Sequence, residues 1–226
     1  MDRGASGPPA LSKSPTQKRR SRAGAIIAAL NAHYPAATCT LDFRSPVQLL
    51  VATILSAQCT DERVNLVTRD LFRRYPDATA LARASQEELE LAIRSIGLFR
   101  SKARSLRECC ADLVDKHGGE VPNSREALMA LRGVGRKTAH VVLGTAFGVP
   151  ALTVDTHVKR LSNRLGLTRE NDPLKIERDL AQLLPEAQWN FAGHALIQHG
   201  RQVCTARKPD CETCFLRKLC PYPERS

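Results

Sequence analysis

No apolar run in this chain approaches the roughly 18 residues that a helix needs to cross a bilayer. Its first residues, rich in Pro, Ser, Lys and Arg, hold no apolar stretch of the secretory-signal kind. Strand-like alternation of apolar and polar residues is nearly missing as well. These absences argue against a membrane span, an export leader and a sheet core, and they make a cytoplasmic, nucleoid-associated protein the expectation. In a reducing compartment eight cysteines do not form a disulfide framework. Cys39, Cys59, Cys109 and Cys110 are scattered and read as small buried hydrophobes, whereas the other four crowd the C-terminus. Acidic residues are in deficit, with 23 Asp and Glu against 34 Lys and Arg in 226 residues, for a net charge of +11. Such a surplus favours polyanions, because each cation set against a phosphate releases condensed counterions. Nucleic acid leads and an anionic membrane surface follows; charge alone does not choose between them.

What is present is the punctuation of successive helices. Residues 1–16 have no periodicity and are expected to be a disordered basic tail. The run Lys18, Arg19, Arg20, Arg22 then leads into a helix through Ala28, Leu30 and His33. That tail either brushes DNA electrostatically or only solubilises the chain. Ser45-Pro46 is an N-cap with proline at the first helical position, Thr60 or Asp61 caps the next helix, and Ser85 with Glu88 forms a capping box closed by Gly97. A helix from near Ser101 to His117 ends at Gly118-Gly119, and Asn123 with Glu126 reads as a further box. Asp155 opens a helix that Gly166 ends, and Pro173 and Pro185 each head another. The fold class is all-α, built from about ten short helices.

Leu131-Arg132-Gly133-Val134-Gly135-Arg136-Lys137 is a hairpin between two of them. Glycines allow positive φ and leave no Cβ in the way, so N–H groups of the turn and of the following helix face outward, where a phosphate can lie. Arg132 and Arg136 add charge. Lys137, in the first turn of the second helix, is electrostatically out of place beside Arg136 and the positive end of the dipole. Both effects favour the neutral amine, the nucleophilic form. The residues alone weigh that role evenly against a plain phosphate contact.

Cys204, Cys211, Cys214 and Cys220 follow a C-x6-C-x2-C-x5-C spacing, compact enough for one tetrathiolate site. Thiolates suit zinc or an iron–sulfur cluster. Zinc ribbons usually carry two short pairs, and only one is here, so the spacing leans to iron and sulfur. Arg207 and Lys208 in the first loop could be held against a DNA backbone or simply be solvated.

The hairpin with Thr138-Ala139, followed by Val154-Asp155-Thr156-His157, resembles endonuclease III, a family of bifunctional helix-hairpin-helix DNA glycosylases. Leu55-Ser56-Ala57-Gln58 with Thr60-Asp61, Ile96-Gly97-Leu98 with Ser101-Lys102-Ala103, and the cysteine cluster match its pattern in order, over about residues 20–222. The resemblance implies that Lys137 attacks the anomeric carbon of the damaged nucleotide and forms a Schiff base leading to β-elimination. Asp155 would help activate the lysine and stabilise positive charge developing on the sugar; read alone, it is an ideal N-cap. Gln58 and Leu98 would enter the duplex as the target nucleotide swings out, the amide bonding an orphaned base and the leucine replacing lost stacking. Read alone, they are an ordinary polar terminus and an ordinary hydrophobe. Together with these, Arg132, Gly133, Val134, Gly135, Arg136, Arg207 and Lys208 form the expected DNA-binding set, and the four cysteines are implied to hold a 4Fe–4S cluster. Proline is common where Arg132 stands and asparagine where His140 stands.

The resemblance also implies two lobes with the active site in the cleft between them. One is a six-helix barrel over residues 39–149 containing the helix-hairpin-helix at 124–147. The other joins 17–38 to 150–226 and carries the cluster. The expected function is base excision repair on double-stranded DNA with damaged bases or abasic sites, by a monomer that excises oxidised pyrimidines and nicks the strand. Two alternatives stand. A monofunctional glycosylase of the adenine-mismatch or uracil/thymine-mismatch type activates water and needs no lysine at position 137. A non-catalytic DNA-binding module needs neither Lys137 nor Asp155.

Overall fold

The computed structural model describes residues 15–222, and within them the secondary structure is helical throughout, with no strand. The tail expected over residues 1–16 lies, up to residue 14, outside the described residues. Pro15 and Thr16 instead begin the first helix, α1 (Pro15–His33).

A first hydrophobic cluster runs from Leu41 to Ala151 and is surrounded by α2 (Pro46–Leu55), α3 (Asp61–Arg74), α4 (Ala78–Arg83), α5 (Gln86–Ala92), α6 (Phe99–His117), α7 (Arg125–Ala130) and α8 (Arg136–Ala146). That makes seven helices where six are expected. Six-residue α4 is the unforeseen one, started by Asp77, whose side chain accepts from Ala80 N–H at 2.8 Å. α2 is the central element. Val47, Leu49, Leu50, Val51, Ala52, Ile54 and Leu55 are all buried, the mark of a helix walled in on every side. Ser45 does cap it, and Thr60 rather than Asp61 caps α3. The expected box at Asn123 lies one residue off: Ser124 is the N-cap of α7, accepting from Ala127 N–H at 3.2 Å.

A second cluster takes Ala23, Ile26, Ile27 and Leu30 from α1 and residues from Leu152 to Leu216. Its other helices are α9 (Thr156–Arg164), α10 (Pro173–Leu183) and α11 (Trp189–Gln202). The chain thus starts in the second lobe, builds the first, and returns. The return is pinned by Asn190 of α11. Its side chain accepts from Ala151 N–H at 2.9 Å and donates to Gly144 O at 3.3 Å and Val149 O at 3.2 Å, tying the end of α8 to the crossing segment. Gly144 is required for this, since a Cβ there would sit 2.6 Å from Asn190 Oδ1.

Candidate active site and nucleic-acid interface

The hairpin joins α7 to α8 by a turn in which Val134 is buried and its N–H donates to Leu131 O at 3.2 Å. Gly133 has φ +76, and a Cβ there would meet Ser105 Cβ at 2.9 Å, so both conformation and space demand glycine. Gly135 differs from expectation: its φ is −90, and it is the N-cap of α8 with no side-chain cap. No protein atom lies within 4 Å of where a Cβ would stand, so the fold itself does not demand glycine there and the turn is open to the outside. The first turn of α8 therefore keeps its N–H groups clear of side-chain capping, a place for an anion.

Lys137 is the second residue of that turn and exposed. It lines a cleft of about 530 Å3 whose wall also holds Asp155, Thr153, His194, Asp61 and Arg201. Asp155 is the N-cap of α9, its carboxylate accepting from Val158 N–H at 2.8 Å, so the capping reading and the cleft position hold together. Lys137 comes from the hairpin lobe and Asp155 from the start of α9 in the second lobe. The two converge on one cavity.

The lobes are joined by ion pairs that no local spacing reveals. Arg136 binds Glu177 of α10 through two hydrogen bonds, Nε at 3.0 Å and NH2 at 2.7 Å. The guanidinium read from sequence as a phosphate ligand beside Lys137 is thus matched by a carboxylate, which holds its pKa above the usual arginine value. His140, one turn on, is buried, with Nδ1 3.2 Å from Leu152 O and 3.9 Å from Glu177. Burial pulls its pKa below the ordinary histidine value, with Glu177 opposing. Across the cleft, Arg201 of α11 donates to Asp61 at 2.8 Å, and Thr40 donates to the same carboxylate. Arg132 is exposed and its Nε lies 3.1 Å from Glu108 of α6.

Gln58 and Leu98 share a property that neither sequence reading anticipated. They are the two non-glycine residues of positive φ among the described residues, at +54 and +60. Left-handed backbone costs a residue with a Cβ about 1–2 kcal/mol, and such strain gathers at functional sites. Leu98 is the N-cap of α6, is 62% exposed, and caps with no side-chain bond. Behind them lies Lys102 of α6, only 6% exposed, donating to Leu55 O at 2.9 Å and Ala57 O at 2.6 Å. Burial draws its pKa below the lysine value, with Cys59 opposing.

Residues 51–186 match the HhH-GPD superfamily of base excision DNA repair proteins, and residues 204–220 match the iron-sulfur binding domain of endonuclease III. Endonuclease III of Synechocystis is 57% identical over 210 residues, 92% of this chain and 95% of that one. The Escherichia coli enzyme is 42% identical, covering 88% and 95%. This chain belongs to the endonuclease III family. Among solved structures, a trapped endonuclease III–DNA covalent intermediate superposes with TM-score 0.87 at 45% identity, over 91% of this chain and 97% of that one. A thermostable thymine-DNA glycosylase does so with TM-score 0.82 at 26% identity, over 91% and 98%. In this endonuclease III family member the fold is the two-lobed helix-hairpin-helix glycosylase fold, and its activity class is that of a DNA glycosylase and abasic-site lyase.

The family's cysteine cluster fits the residues present. Cys204, Cys211, Cys214 and Cys220 are free thiols around one pocket walled by Leu161, Leu165, His199 and Leu216. Burial foremost, with the neighbouring cysteines adding to it, pushes the Cys214 and Cys220 thiols up. Arg164 donates to Cys204 Sγ at 3.3 Å and to the carbonyls of Thr205 and Ala206. His199, held neutral by burial with its pKa pushed down to about 4, lies between Tyr34 Oη at 3.1 Å and Cys214 Sγ at 3.5 Å. Arg207 and Lys208 are exposed on the loop between the first two cysteines, closed by Thr205 donating to Lys208 O at 2.6 Å.

Proposed function

We propose that this enzyme removes oxidised pyrimidines from duplex DNA through a Schiff base on Lys137 and then cuts the abasic strand by β-elimination. One observation carries the reading: Lys137 and Asp155, supplied by opposite lobes, line the same cleft. The amine attacks the anomeric carbon, the glycosidic bond breaks, and the base departs with its electron pair and takes up a proton. Asp155, held by Val158 N–H, faces the positive charge that develops on the sugar, and an anion fixed by its own helix stabilises that charge without reorganising. The sugar ring opens to an iminium on Lys137. Loss of a proton from the adjacent carbon expels the 3′ phosphate, and water hydrolyses the imine to free the lysine.

Around that chemistry, the open first turn of α8 with Gly133, Val134 and Gly135 receives a backbone phosphate, with Arg132 beside it. Arg207 and Lys208 supply a second phosphate contact from the cluster loop. Gln58 and Leu98 fill the space the target nucleotide leaves. The four cysteines hold the 4Fe–4S cluster, which shapes that loop and ties it to α11. The enzyme acts as a monomer. A monofunctional glycosylase would use water and leave Lys137 without a task.

Borohydride decides between them. The wild-type protein, incubated with a duplex carrying one oxidised pyrimidine, gives a covalent adduct after reduction, and Lys137→Gln gives none. An adduct that persists in Lys137→Gln, or a wild-type enzyme that excises the base without ever being trapped, overturns the mechanism.

A further inference from the structure

We infer that Lys102 is a positioning residue that fixes the Gln58 turn against Leu98, so that both wedge residues stand ready before DNA arrives. The inference rests on the reading that these two side chains enter the duplex. Its own support is the way one lysine touches a peptide plane beside each of them. The side-chain ammonium donates to Ala57 O, which belongs to the peptide that sets φ of Gln58, and to Leu55 O at the end of α2. The backbone N–H of the same residue makes the ordinary first i→i−4 bond of α6, to Leu98 O at 3.0 Å, so the side chain acts on the Gln58 turn from the helix that Leu98 itself caps. The two turns also abut directly, since a Cβ on Gly97 would lie 4.0 Å from Gln58 O.

A lysine at 6% exposure is a costly choice if the only need is to fill space. What the ammonium supplies is donors where a helix ends. The last carbonyls of α2 lack intrahelical partners, and at this end Ser56 N–H answers Ala52, Ser56 Oγ answers Thr53, and Lys102 answers Leu55. A cation at a helix C-terminus also meets the negative end of the dipole. Ala57 lies beyond the helix, so its bond does nothing for α2 and acts only on the turn that presents Gln58. The lysine is no spare nucleophile, because it is buried and does not line the cleft. Its place in α6 makes the turn and Leu98 one rigid unit, strained in advance rather than ordered at the cost of binding free energy.

Two variants and one optical probe test this, all with intact holoenzyme. Insertion of the wedge is read by the fluorescence rise of 2-aminopurine placed beside the lesion, in a Lys137→Gln background where no chemistry follows. Lys102→Met keeps the apolar stem and removes both donors. It should slow that rise roughly 10-fold or more, the scale of losing hydrogen bonds from a charged donor. It should lower excision of a paired lesion by a similar factor, while leaving the same lesion in an unpaired bubble, where little unstacking is needed, within about 2-fold. Lys102→Gln keeps a shorter amide donor and should fall between wild type and Lys102→Met; it carries the comparison if the methionine variant does not melt cooperatively. Equal losses on paired and unpaired lesions would make Lys102 a merely structural residue and sink the inference. So would an unchanged fluorescence phase in Lys102→Met while Leu98→Gly abolishes it. If Leu98→Gly itself leaves the phase untouched, the wedge reading has failed, and the inference falls with it.

Discussion

Replacing Leu98 by glycine separates what the residue does for the fold from what it does for DNA. In the structure Leu98 has φ +60 and ψ +30 and is 62% exposed. Glycine takes that conformation without penalty, so the substitution returns about 1–2 kcal/mol of strain. Against this stand the extra freedom of glycine in the unfolded chain, about 0.5–1 kcal/mol, and the lost burial. Full burial of a leucine side chain is worth about 1.5–3 kcal/mol, and roughly a third of Leu98 is covered, so that loss is about 0.5–1 kcal/mol. The terms cancel to within about 1 kcal/mol, which for a chain of this size moves Tm by no more than about 2–4 °C. Excision of a paired lesion should nevertheless fall by about 10-fold or more, because a few kcal/mol of unstacking is no longer repaid by an inserted side chain. Thermal melting and single-turnover excision are the two assays. A drop in Tm beyond about 6 °C, corresponding to a loss near 2 kcal/mol, would show that Leu98 belongs to the core and that its exposure has been misread. Unchanged excision with unchanged stability would refute the wedge.

The remaining predictions concern the brace between the lobes. Gly144→Ala places a Cβ 2.6 Å from Asn190 Oδ1, so Asn190 must abandon its three hydrogen bonds, two to the crossing segment and one to the carbonyl of residue 144 in α8. The expected cost is about 2–3 kcal/mol, read as a Tm lower by about 5–10 °C; Asn190→Ala added to Gly144→Ala should cost little more, and full additivity would show that the clash lies elsewhere. Acidification should destabilise the protein through His140 and His194, both held below the ordinary histidine value foremost by burial. Each is neutral when folded and takes up a proton near pH 6.5 when unfolded, so stability is full above about pH 6.5 and lost as pH falls below it. Tm measured from pH 7.5 to 5.5 should fall more steeply in wild type than in His140→Asn, and identical slopes would remove His140 from the account.

Much of the fold could be read from local chemistry. Ser45, Thr60, Ser85, Asp155 and Pro173 start helices where side-chain oxygens or a fixed φ dictate. The misses are also local in cause. Asp77 follows Pro76, so its cap passes for the end of a turn, and α4 is too short for its apolar period to stand out. Ser124 competes with Asn123 for one cap, and composition does not separate neighbours of equal propensity. In the site, Lys137 and Asp155 are legible through motif, but Arg136 is not. Its partner Glu177 lies 41 residues away, and nothing in either stretch says that they meet. Lys102 shows no role of its own within its motif, since a charge destined for the interior looks like any other lysine until its acceptors are known.

Lys137 and Asp155, the two groups proposed to carry the chemistry, belong to different lobes, so the proposed geometry of attack is only as fixed as the joint between those lobes. Long-range contacts among the described residues help to set that joint, among them Arg136 with Glu177, Asp61 with Arg201, and Asn190 with the segment after α8. Arg136 is the residue immediately before Lys137, so the ion pair that braces the lobes also anchors the turn carrying the nucleophile. A small misplacement of reacting atoms can cost a hundredfold in rate, and here the brace and the attacking amine are successive residues of one helix. That adjacency gives the guanidinium beside Lys137 a structural task, the bond to Glu177 of the opposite lobe, besides the phosphate contact expected of it from the sequence. In the proposed binding mode the uncapped amides of α8 meet a phosphate with partial charges that the helix itself holds and that need no side chain ordered to present them.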